Sequence, residues 1–256
     1  MVGPVQVHPQ NGAAFADVCE TQLRPLYIAS IGALDPRPGT RLLHVGCGTG
    51  AALALAAQNG AEVTGLDASV ELLKVARERL PDAELRVADA AELPYDRGCF
   101  DQVIAFDAIQ YVEPPAVAVG ELARVTRPGG SVAIGLWHNW SGREASAFLN
   151  AVRGLVPPGS PSSQPVRDLA RLREVMVEAG LDVYAFAEVI RRYDFASLDA
   201  AWKSMTSSPN VARAIEVIGH EAAHEVFVAT FGNQQRPDGS IQQENLFQYA
   251  VGRATS

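Results

Sequence analysis

The sequence predicts an α/β fold, a doubly wound and mostly parallel sheet of about seven strands with helices on both faces. Three observations lead to this prediction. Short apolar segments alternate with segments of helical periodicity between residues 35 and 137. Turn-forming residues such as Gly60 and Pro81 stand at the boundaries. Strands that are separated by helices lie parallel and are joined by crossovers, which builds an open doubly wound sheet.

The first half of the chain supplies most of the predicted sheet. Its strands are predicted at Arg41–Val45, Glu62–Leu66, Glu84–Ala88, Phe100–Phe106 and Ser131–Trp137. Its helices are predicted at 13–34, Ala51–Asn59, Ser69–Leu80 and Ala116–Val125. Pro25 lies inside the first helix and predicts a kink or a division into two short helices, because proline lacks the N–H that an interior residue donates.

The second half is less regular and is expected to complete one edge of the sheet and to form a helical lid. Residues 139–165 are predicted to be a loop-rich insertion. After it we expect a helix at Val166–Ala179, a strand at Asp182–Phe195, helical structure at 197–230 and a last strand at Glu244–Gly252. Because a helical excursion separates these two strands, one of them can be antiparallel.

The length of 256 residues suits a single domain over 1–256 better than two independent domains. The predicted core comprises about 35–137 together with 166–195 and 243–254. The predicted lid comprises the segments at about 1–34, 139–165 and 197–238.

Charge and cysteine content indicate which partners to expect. The formal net charge is -8 and no basic cluster is present, whereas a nucleic-acid surface needs clustered positive charge. No apolar stretch reaches the roughly 18 residues of a membrane span, and no signal peptide is visible. The three cysteines fit neither a zinc pattern nor a disulfide framework. We therefore expect a cytoplasmic monomer or homodimer that acts on a small molecule, with no nucleic-acid partner and no membrane span.

The strongest chemical signal is the glycine loop Gly46–Gly50, which stands where a strand ends and a helix begins. Glycines there permit a tight turn and let a ligand approach bare backbone. Asp67 ends the second strand about twenty residues further on, where a carboxylate can accept both ribose hydroxyls of an adenosine ligand. Gly46, Gly48 and Ala51 also satisfy a dinucleotide pattern with alanine last, so these elements alone leave the cofactor open.

Asp89 separates the two interpretations. It follows the third strand in the segment Val87-Ala88-Asp89-Ala90-Ala91. The carboxyl ends of parallel strands meet at one edge of a sheet, so Asp89 and Ala90 are expected beside the first two elements. An adenine ring crossing this edge would lie within their reach.

In their order and spacing, these segments resemble the class I S-adenosylmethionine-dependent methyltransferases, most closely the branch of the ubiquinone and menaquinone methyltransferases. The resemblance is close over about 35–137 and implies a Rossmann-like sheet and S-adenosylmethionine as cofactor. It is carried by Val45–Gly50, Gly65-Leu66-Asp67-Ala68-Ser69, Ala88-Asp89-Ala90, Leu93-Pro94-Tyr95, Phe100-Asp101-Gln102-Val103, Glu121-Leu122, Arg124-Val125 and Arg127-Pro128-Gly129-Gly130.

The resemblance also implies roles for single residues. The glycine loop would border the methionyl part of the cofactor, Asp67 would hold the ribose, and Asp107 would lie near the amine and sulfonium. Further residues would contact the adenine. The implied cofactor-binding residues are Gly46, Cys47, Gly48, Gly50, Asp67, Ala68, Leu72, Asp89, Ala90, Phe106 and Asp107.

His44 departs from the family pattern, which has an acid two residues before the first glycine. That acid supports the amino group of the cofactor. A neutral His44 ring could take over this role or leave it to Asp107, or His44 could be a packed strand histidine.

The acceptor side of the site is less defined. Gln110 and Tyr111 could border the transfer site, and Tyr27 and Trp140 could line the pocket. His138 follows the fifth strand at the ligand edge and has the pKa range of a general base, so it is the candidate catalytic residue. We predict no metal site, since no acid-rich motif accompanies the histidines of the lid.

The resulting prediction is methyl transfer from S-adenosylmethionine to oxygen, nitrogen or carbon of a small molecule. The first alternative is a protein of this fold that binds S-adenosylmethionine but catalyses a rearrangement or cyclisation without methylation. The second is a nicotinamide-dependent oxidoreductase that uses the same glycine loop.

Overall fold

The computed structural model describes residues 20–112, 114–138, 144–155, 169–206 and 209–255. The strands are β1 (Arg41–Val45), β2 (Glu62–Asp67), β3 (Glu84–Val87), β4 (Phe100–Phe106), β5 (Thr126–His138), β6 (Leu181–Phe195) and β7 (Ile241–Ala254). The helices are α1 (Thr21–Leu34), α2 (Ala51–Gln58), α3 (Val70–Arg79), α4 (Pro115–Val125), α5 (Glu144–Leu155), α6 (Leu169–Glu178), α7 (Leu198–Thr206), α8 (Pro209–Ile218) and α9 (His220–Phe231).

The strands form one seven-stranded sheet in the order β3-β2-β1-β4-β5-β7-β6. The first five strands are parallel, and β7 is antiparallel to both of its neighbours. The direction of winding reverses between β1 and β4, and ligands of open α/β sheets bind at such a point, outside the carboxyl ends of the strands. The predicted doubly wound fold is confirmed, including the single antiparallel strand.

Two predictions about local structure were wrong. The insertion at 139–165 contains the helix α5, and α5 packs against α8 and α9 through the buried residues Phe148 and Val152. Pro25 does not divide the helix, which is continuous over Thr21–Leu34, because the N–H that proline lacks would have bonded to the carbonyl of Thr21 in the first turn; a kink at Pro25 stays a prediction. The last strand is also longer than predicted and begins at Ile241.

Each face of the sheet has its own apolar core. The first contains Val45, Val103 and Ile134 and is covered by α4 and α6. The second contains Leu42 and Ile104 and is covered by α1 and α2. The helix α1 therefore packs along the sheet, and its first turn reaches the ligand edge.

The helices α5, α7, α8 and α9 build a third apolar cluster, with Phe148, Phe227 and Phe231 at its centre. Trp137 near the end of β5 packs against this cluster and against the core under α1. The cluster thus joins the sheet next to the ligand edge. Among the described residues, we find no helix that combines the length and the apolar character needed to cross a membrane.

Candidate cofactor and acceptor site

The glycine loop closes tightly over the ends of β1 and β4. Gly46, Gly48 and Gly50 all have positive φ angles, of 72°, 56° and 81°. A Cβ atom at Gly46 would stand 2.5 Å from the Cβ of Ala108, in the turn after β4. Glycine is required at this position for both its backbone angle and its contact, and the loop leaves bare backbone toward a ligand.

Asp67 anchors this loop from the end of β2. Its Oδ2 accepts a hydrogen bond from the Gly48 N–H at 2.8 Å, and its Oδ1 accepts one from the Ser69 N–H at 2.8 Å. The Ser69 hydroxyl in turn caps α3 by accepting from the Leu72 N–H at 3.2 Å. One carboxylate therefore fixes both the loop after β1 and the start of the helix after β2.

Asp89 lies at the same edge. Its Oδ1 accepts a hydrogen bond from the Ala91 N–H at 2.9 Å, which shapes the turn after β3. The Ala88 N–H bonds to the carbonyl of Asp67 at 3.2 Å, so the ends of β2 and β3 are joined. The structure thus brings Gly48, Asp67 and Asp89 together along one edge of the sheet.

Asp107 follows β4 and has an unusual backbone. Its φ angle is 52°, in the left-handed region that residues other than glycine rarely adopt. Its N–H bonds to the carbonyl of Gly135 at 2.9 Å, and its carboxylate accepts from the side-chain amide of Gln110. Burial raises the pKa of the Asp107 carboxyl to about 7, against the hydrogen bonds from Gln110 and the Trp137 backbone, which lower it. Asp107 can therefore change its charge near neutral pH.

His44 is buried, and within the described residues neither ring nitrogen has a hydrogen-bond partner. Its ring packs edge-on against Phe106 at 5.4 Å between centroids, and Phe106 contacts Tyr27 at 5.4 Å. Burial lowers the pKa of His44 to about 3, so the ring is neutral. A histidine packed for stability alone would pair at least one nitrogen. The unpaired ring counts against the interpretation of His44 as a satisfied core residue.

One buried group at this edge was not predicted from the sequence. Glu20 accepts a hydrogen bond from the Thr49 hydroxyl in the glycine loop. Arg79 at the end of α3 donates to Glu20 Oε2 at 3.0 Å and to the Thr49 carbonyl at 2.9 Å. Glu20 stands 29 residues before Thr49 and 59 before Arg79, and no local pattern indicates this pairing. The start of α1 is therefore fastened to the loop.

The other predicted residues have less specific surroundings. Leu72 and Cys47 are buried beside the loop, and burial raises the pKa of the Cys47 thiol, which makes it unreactive. Ala68 is exposed at the end of β2, and Ala90 is half-buried. Tyr27 is buried against the sheet.

Three predicted acceptor-side residues remain: Tyr111, His138 and Trp140. The structure describes the backbone of Tyr111, in a short 3-10 helix, and of His138, the last residue of β5. Trp140 lies outside the described residues.

A doubly wound sheet with a glycine loop after its central strand and carboxylates after the two neighbouring strands defines a class of α/β proteins that bind adenosine-containing ligands. A profile of the methyltransferase domain family matches residues 43–134, which spans this whole edge. A ubiquinone biosynthesis O-methyltransferase of Paracidovorax citrulli is 32% identical over 174 residues, covering 63% of this chain and 71% of that protein. The chain belongs to the class I S-adenosylmethionine-dependent methyltransferases.

Two further comparisons bear on the extent of the similarity. A demethylmenaquinone methyltransferase of Renibacterium salmoninarum is 37% identical over 111 residues, which cover 43% of this chain. The match spans only 46% of that relative, so less than half of its length is shared. The solved structure of the [4+2]-cyclase SpnF superposes with a TM-score of 0.58 at 18% identity, covering 90% of this chain and 80% of that one. This likeness concerns the fold alone.

Proposed function

We propose that this protein transfers the methyl group of S-adenosylmethionine to a small-molecule acceptor. The observation that carries the proposal is the continuous edge formed by the glycine loop, Asp67 and Asp89, in a chain of the methyltransferase family. Family membership favours this cofactor over the nicotinamide alternative. The acceptor class has to come from this chain's own residues, because the family model matches residues 43–134, the cofactor half.

In this proposal, different residues contact the methionyl, ribose and adenine parts of the cofactor. Gly46, Cys47, Gly48 and Gly50 border the methionyl group, and Asp67 accepts hydrogen bonds from the ribose hydroxyls. Phe106 and Asp107 lie near the amine and sulfonium. The adenine is contacted by Ala68, Leu72, Asp89 and Ala90.

The cofactor supplies an activated methyl group, and the protein supplies position. In-line displacement depends on the orientation of the acceptor, so much of the rate comes from holding it still. Tyr27, Gln110, Tyr111 and Trp140 are proposed to border the acceptor. His138 would remove a proton only from an acceptor that carries one at the working pH. The lid segments would exclude water.

Ligand-induced stabilisation tests the cofactor assignment. S-adenosylhomocysteine at a hundred times its Kd should stabilise the folded chain by about 2.7 kcal/mol, whereas NAD should produce no comparable shift. Stabilisation by NAD alone would exclude the methyltransferase assignment.

Turnover decides between methylation and the alternative of a rearrangement. The chain is incubated with methyl-labelled S-adenosylmethionine and candidate metabolites, and mass spectrometry follows both products. We expect a labelled metabolite together with S-adenosylhomocysteine. A product of unchanged mass with intact cofactor would favour the non-methylating function.

A further inference from the structure

Four uncharged side chains form a chain of hydrogen bonds under the first turn of α1. Gln243 Nε2 donates to Asn245 Oδ1 at 2.7 Å, and Asn245 Nδ2 donates to Gln22 Oε1 at 3.1 Å. Gln22 Nε2 then donates to Ser204 Oγ at 2.5 Å. We call these four residues the amide chain. All three bonds run in one direction, and Gln243 Oε1 is left as the acceptor at the beginning of the chain.

This terminal acceptor is buried without a partner. Gln243 and Asn245 are each 2% exposed. Within the described residues, Gln243 Oε1 makes no hydrogen bond. Leaving a buried acceptor unpaired is costly, and networks that serve only structure are normally satisfied. Within the part of the chain that the structure describes, this oxygen therefore remains an acceptor that the O–H or N–H of a bound molecule can satisfy.

The amide chain lies at the ligand edge of the sheet. His138, the last residue of β5, pairs with Leu246 of β7, and β7 is antiparallel to β5. Gln243 and Asn245 precede Leu246, so they lie beyond the carboxyl end of β5. Side chains alternate along a strand, which puts both amides on the same face as Phe247, in the core under α1.

The first turn of α1 connects the amide chain to the glycine loop. Gln22 belongs to the amide chain, and Glu20, two residues earlier, accepts from Thr49 in the loop. The loop and the amide chain thus both contact the start of α1, through Glu20 and Gln22. Both lie at the edge of the sheet where a small molecule beside the loop would bind.

The surroundings define the chemistry of a suitable ligand. No member of the amide chain is charged, and Tyr193, opposite Gln243, is held by donating its hydroxyl to the Gln22 carbonyl at 2.5 Å. Arg191, opposite Asn245, is solvent-exposed. Apolar side chains of the two adjoining clusters, including Ile241 and Phe247, line the same strand. The site favours a neutral molecule with an apolar body.

We propose that the amide chain is the polar recognition site for the methyl acceptor, and that Gln243 Oε1 accepts a hydrogen bond from an O–H or N–H of that molecule. The acceptor class is a neutral, largely apolar compound with such a donor. This inference rests on the proposed function, because only a transferase requires an acceptor.

Two probes that differ in one donor test the proposal. 2-Naphthol and 2-methoxynaphthalene share a ring system, but only the first carries an O–H. Calorimetry on the full chain saturated with S-adenosylhomocysteine should show 2-naphthol binding about tenfold more tightly. Equal affinities, or no binding of 2-naphthol, would overturn the proposal. Failure to bind S-adenosylhomocysteine would instead contradict the proposed function.

A matched pair of variants tests whether the preference for 2-naphthol depends on Gln243. Gln243→Met should weaken 2-naphthol binding about tenfold and leave the affinities for 2-methoxynaphthalene and S-adenosylhomocysteine unchanged. Gln248→Met is the control: Gln248 is on the same strand and buried, its Oε1 is likewise unpaired among the described residues, and it faces the opposite side of the sheet. The control should leave the affinity for 2-naphthol unchanged.

Two results would show that the amide chain only holds the structure together. One is a Gln243→Met variant with a lower melting temperature and wild-type affinity for 2-naphthol. The other is an equal loss of affinity in the Gln248→Met control. If Gln243→Met does not fold, the comparison of the two probes on the wild-type chain still decides the proposal.

Discussion

His44, Asp67 and Asp107 stand at the ends of the three adjacent strands β1, β2 and β4, yet burial and pairing leave them in different states. Asp67 accepts from two backbone N–H groups. The Asp107 carboxyl has a pKa of about 7, and the neutral His44 ring is unpaired among the described residues. An apolar residue at position 44 would avoid the cost of the two unpaired ring nitrogens. Polar groups retained at such a cost are typical of functional sites.

Asp67→Ala should weaken binding of S-adenosylhomocysteine by about 2–4 kcal/mol, from about 1.5–3 kcal/mol per charged hydrogen bond with incomplete additivity. Calorimetry measures the change. Asp101→Ala is the control, because Asp101 pairs with Arg41 and Arg127 at the opposite edge of the sheet. The control should keep the wild-type affinity, and a loss below tenfold in Asp67→Ala would show that the ribose is held elsewhere.

Asp107→Asn should remove a pH dependence of stability. The pKa of Asp107 rises from 3.8 to about 7 on folding, so between these pH values only the folded chain retains the proton. Binding of this proton stabilises the folded chain fully below about pH 4, and this stabilisation is lost as the pH rises through 7. From pH 5 to pH 8 the wild type should lose about 2–3 kcal/mol relative to the variant, at about 1.36 kcal/mol per pKa unit.

Urea unfolding of both proteins at the two pH values measures this difference. Asparagine tolerates the left-handed backbone of position 107, so the variant should fold. His44 and other titrating groups are common to both proteins and cancel in the comparison. Parallel pH profiles would contradict the raised pKa.

His44→Leu should increase the free energy of unfolding by about 1–3 kcal/mol at pH 7, because it removes unpaired buried polar atoms. The gain should be larger at pH 5. The folded-state pKa is about 3, so only the unfolded chain gains a proton as the pH falls below 6.5, and the wild type loses stability.

Urea unfolding measures the free energy of unfolding of His44→Leu, and Tyr95→Phe is the control variant. The Tyr95 hydroxyl is also buried without a partner among the described residues, but it packs near Phe100 at the start of β4. Its pKa of about 12 gives it no titration between pH 5 and 7. A destabilised His44→Leu would mean that the ring nitrogens are paired in the folded chain.

Among the secondary-structure elements, the glycine loop and α1 position the site together. Two side chains hold the loop: Asp67 accepts from the Gly48 N–H, and Glu20, at the start of α1, accepts from the Thr49 hydroxyl. The same helix packs Leu26 against Gly135 in the middle of β5, where a Cβ atom would meet it at 3.0 Å. Displacement of α1 would therefore disturb the loop and the amide chain at once.

Gly46→Ala should destabilise the chain by at least about 1–2 kcal/mol, the cost of a left-handed conformation for an L-residue, with a further cost from the contact to Ala108. Gly32→Ala is the control, since Gly32 lies in α1 and nothing stands within 4 Å of an added Cβ. It should stabilise the chain by about 0.5–1 kcal/mol. Urea unfolding measures both, and a neutral Gly46→Ala would contradict the close approach.

In the whole molecule, β7 joins the edge strand β6 to the other five strands of the sheet. It pairs with β5 over Ser131–His138 and with β6 over Leu181–Phe195, so within the described ranges β6 is joined to the sheet through β7 alone. A chain ending at residue 240 should lose its cooperative unfolding transition, because β6 would have no partner. Circular dichroism during thermal unfolding tests this, and a sharp transition in the shortened chain would contradict it.

The sequence by itself determined the fold class and the family, and it predicted the cofactor half of the site. These depend on local information: strand and helix periodicity, the glycine loop, and acids that follow successive strands. Because parallel strands end at one edge, Asp67 and Asp89 could be placed together without coordinates.

Only the tertiary structure decided which distant elements meet. Glu20 contacts Thr49 across 29 residues, and Asn245 contacts Gln22 across 223. The insertion that was predicted to be loop-rich contains α5, whose apolar face is buried by α8 and α9. Hydrophobic patterning fixes which face of an element is buried, but not which partner covers it, and the pairing of buried polar groups follows from that choice of partner.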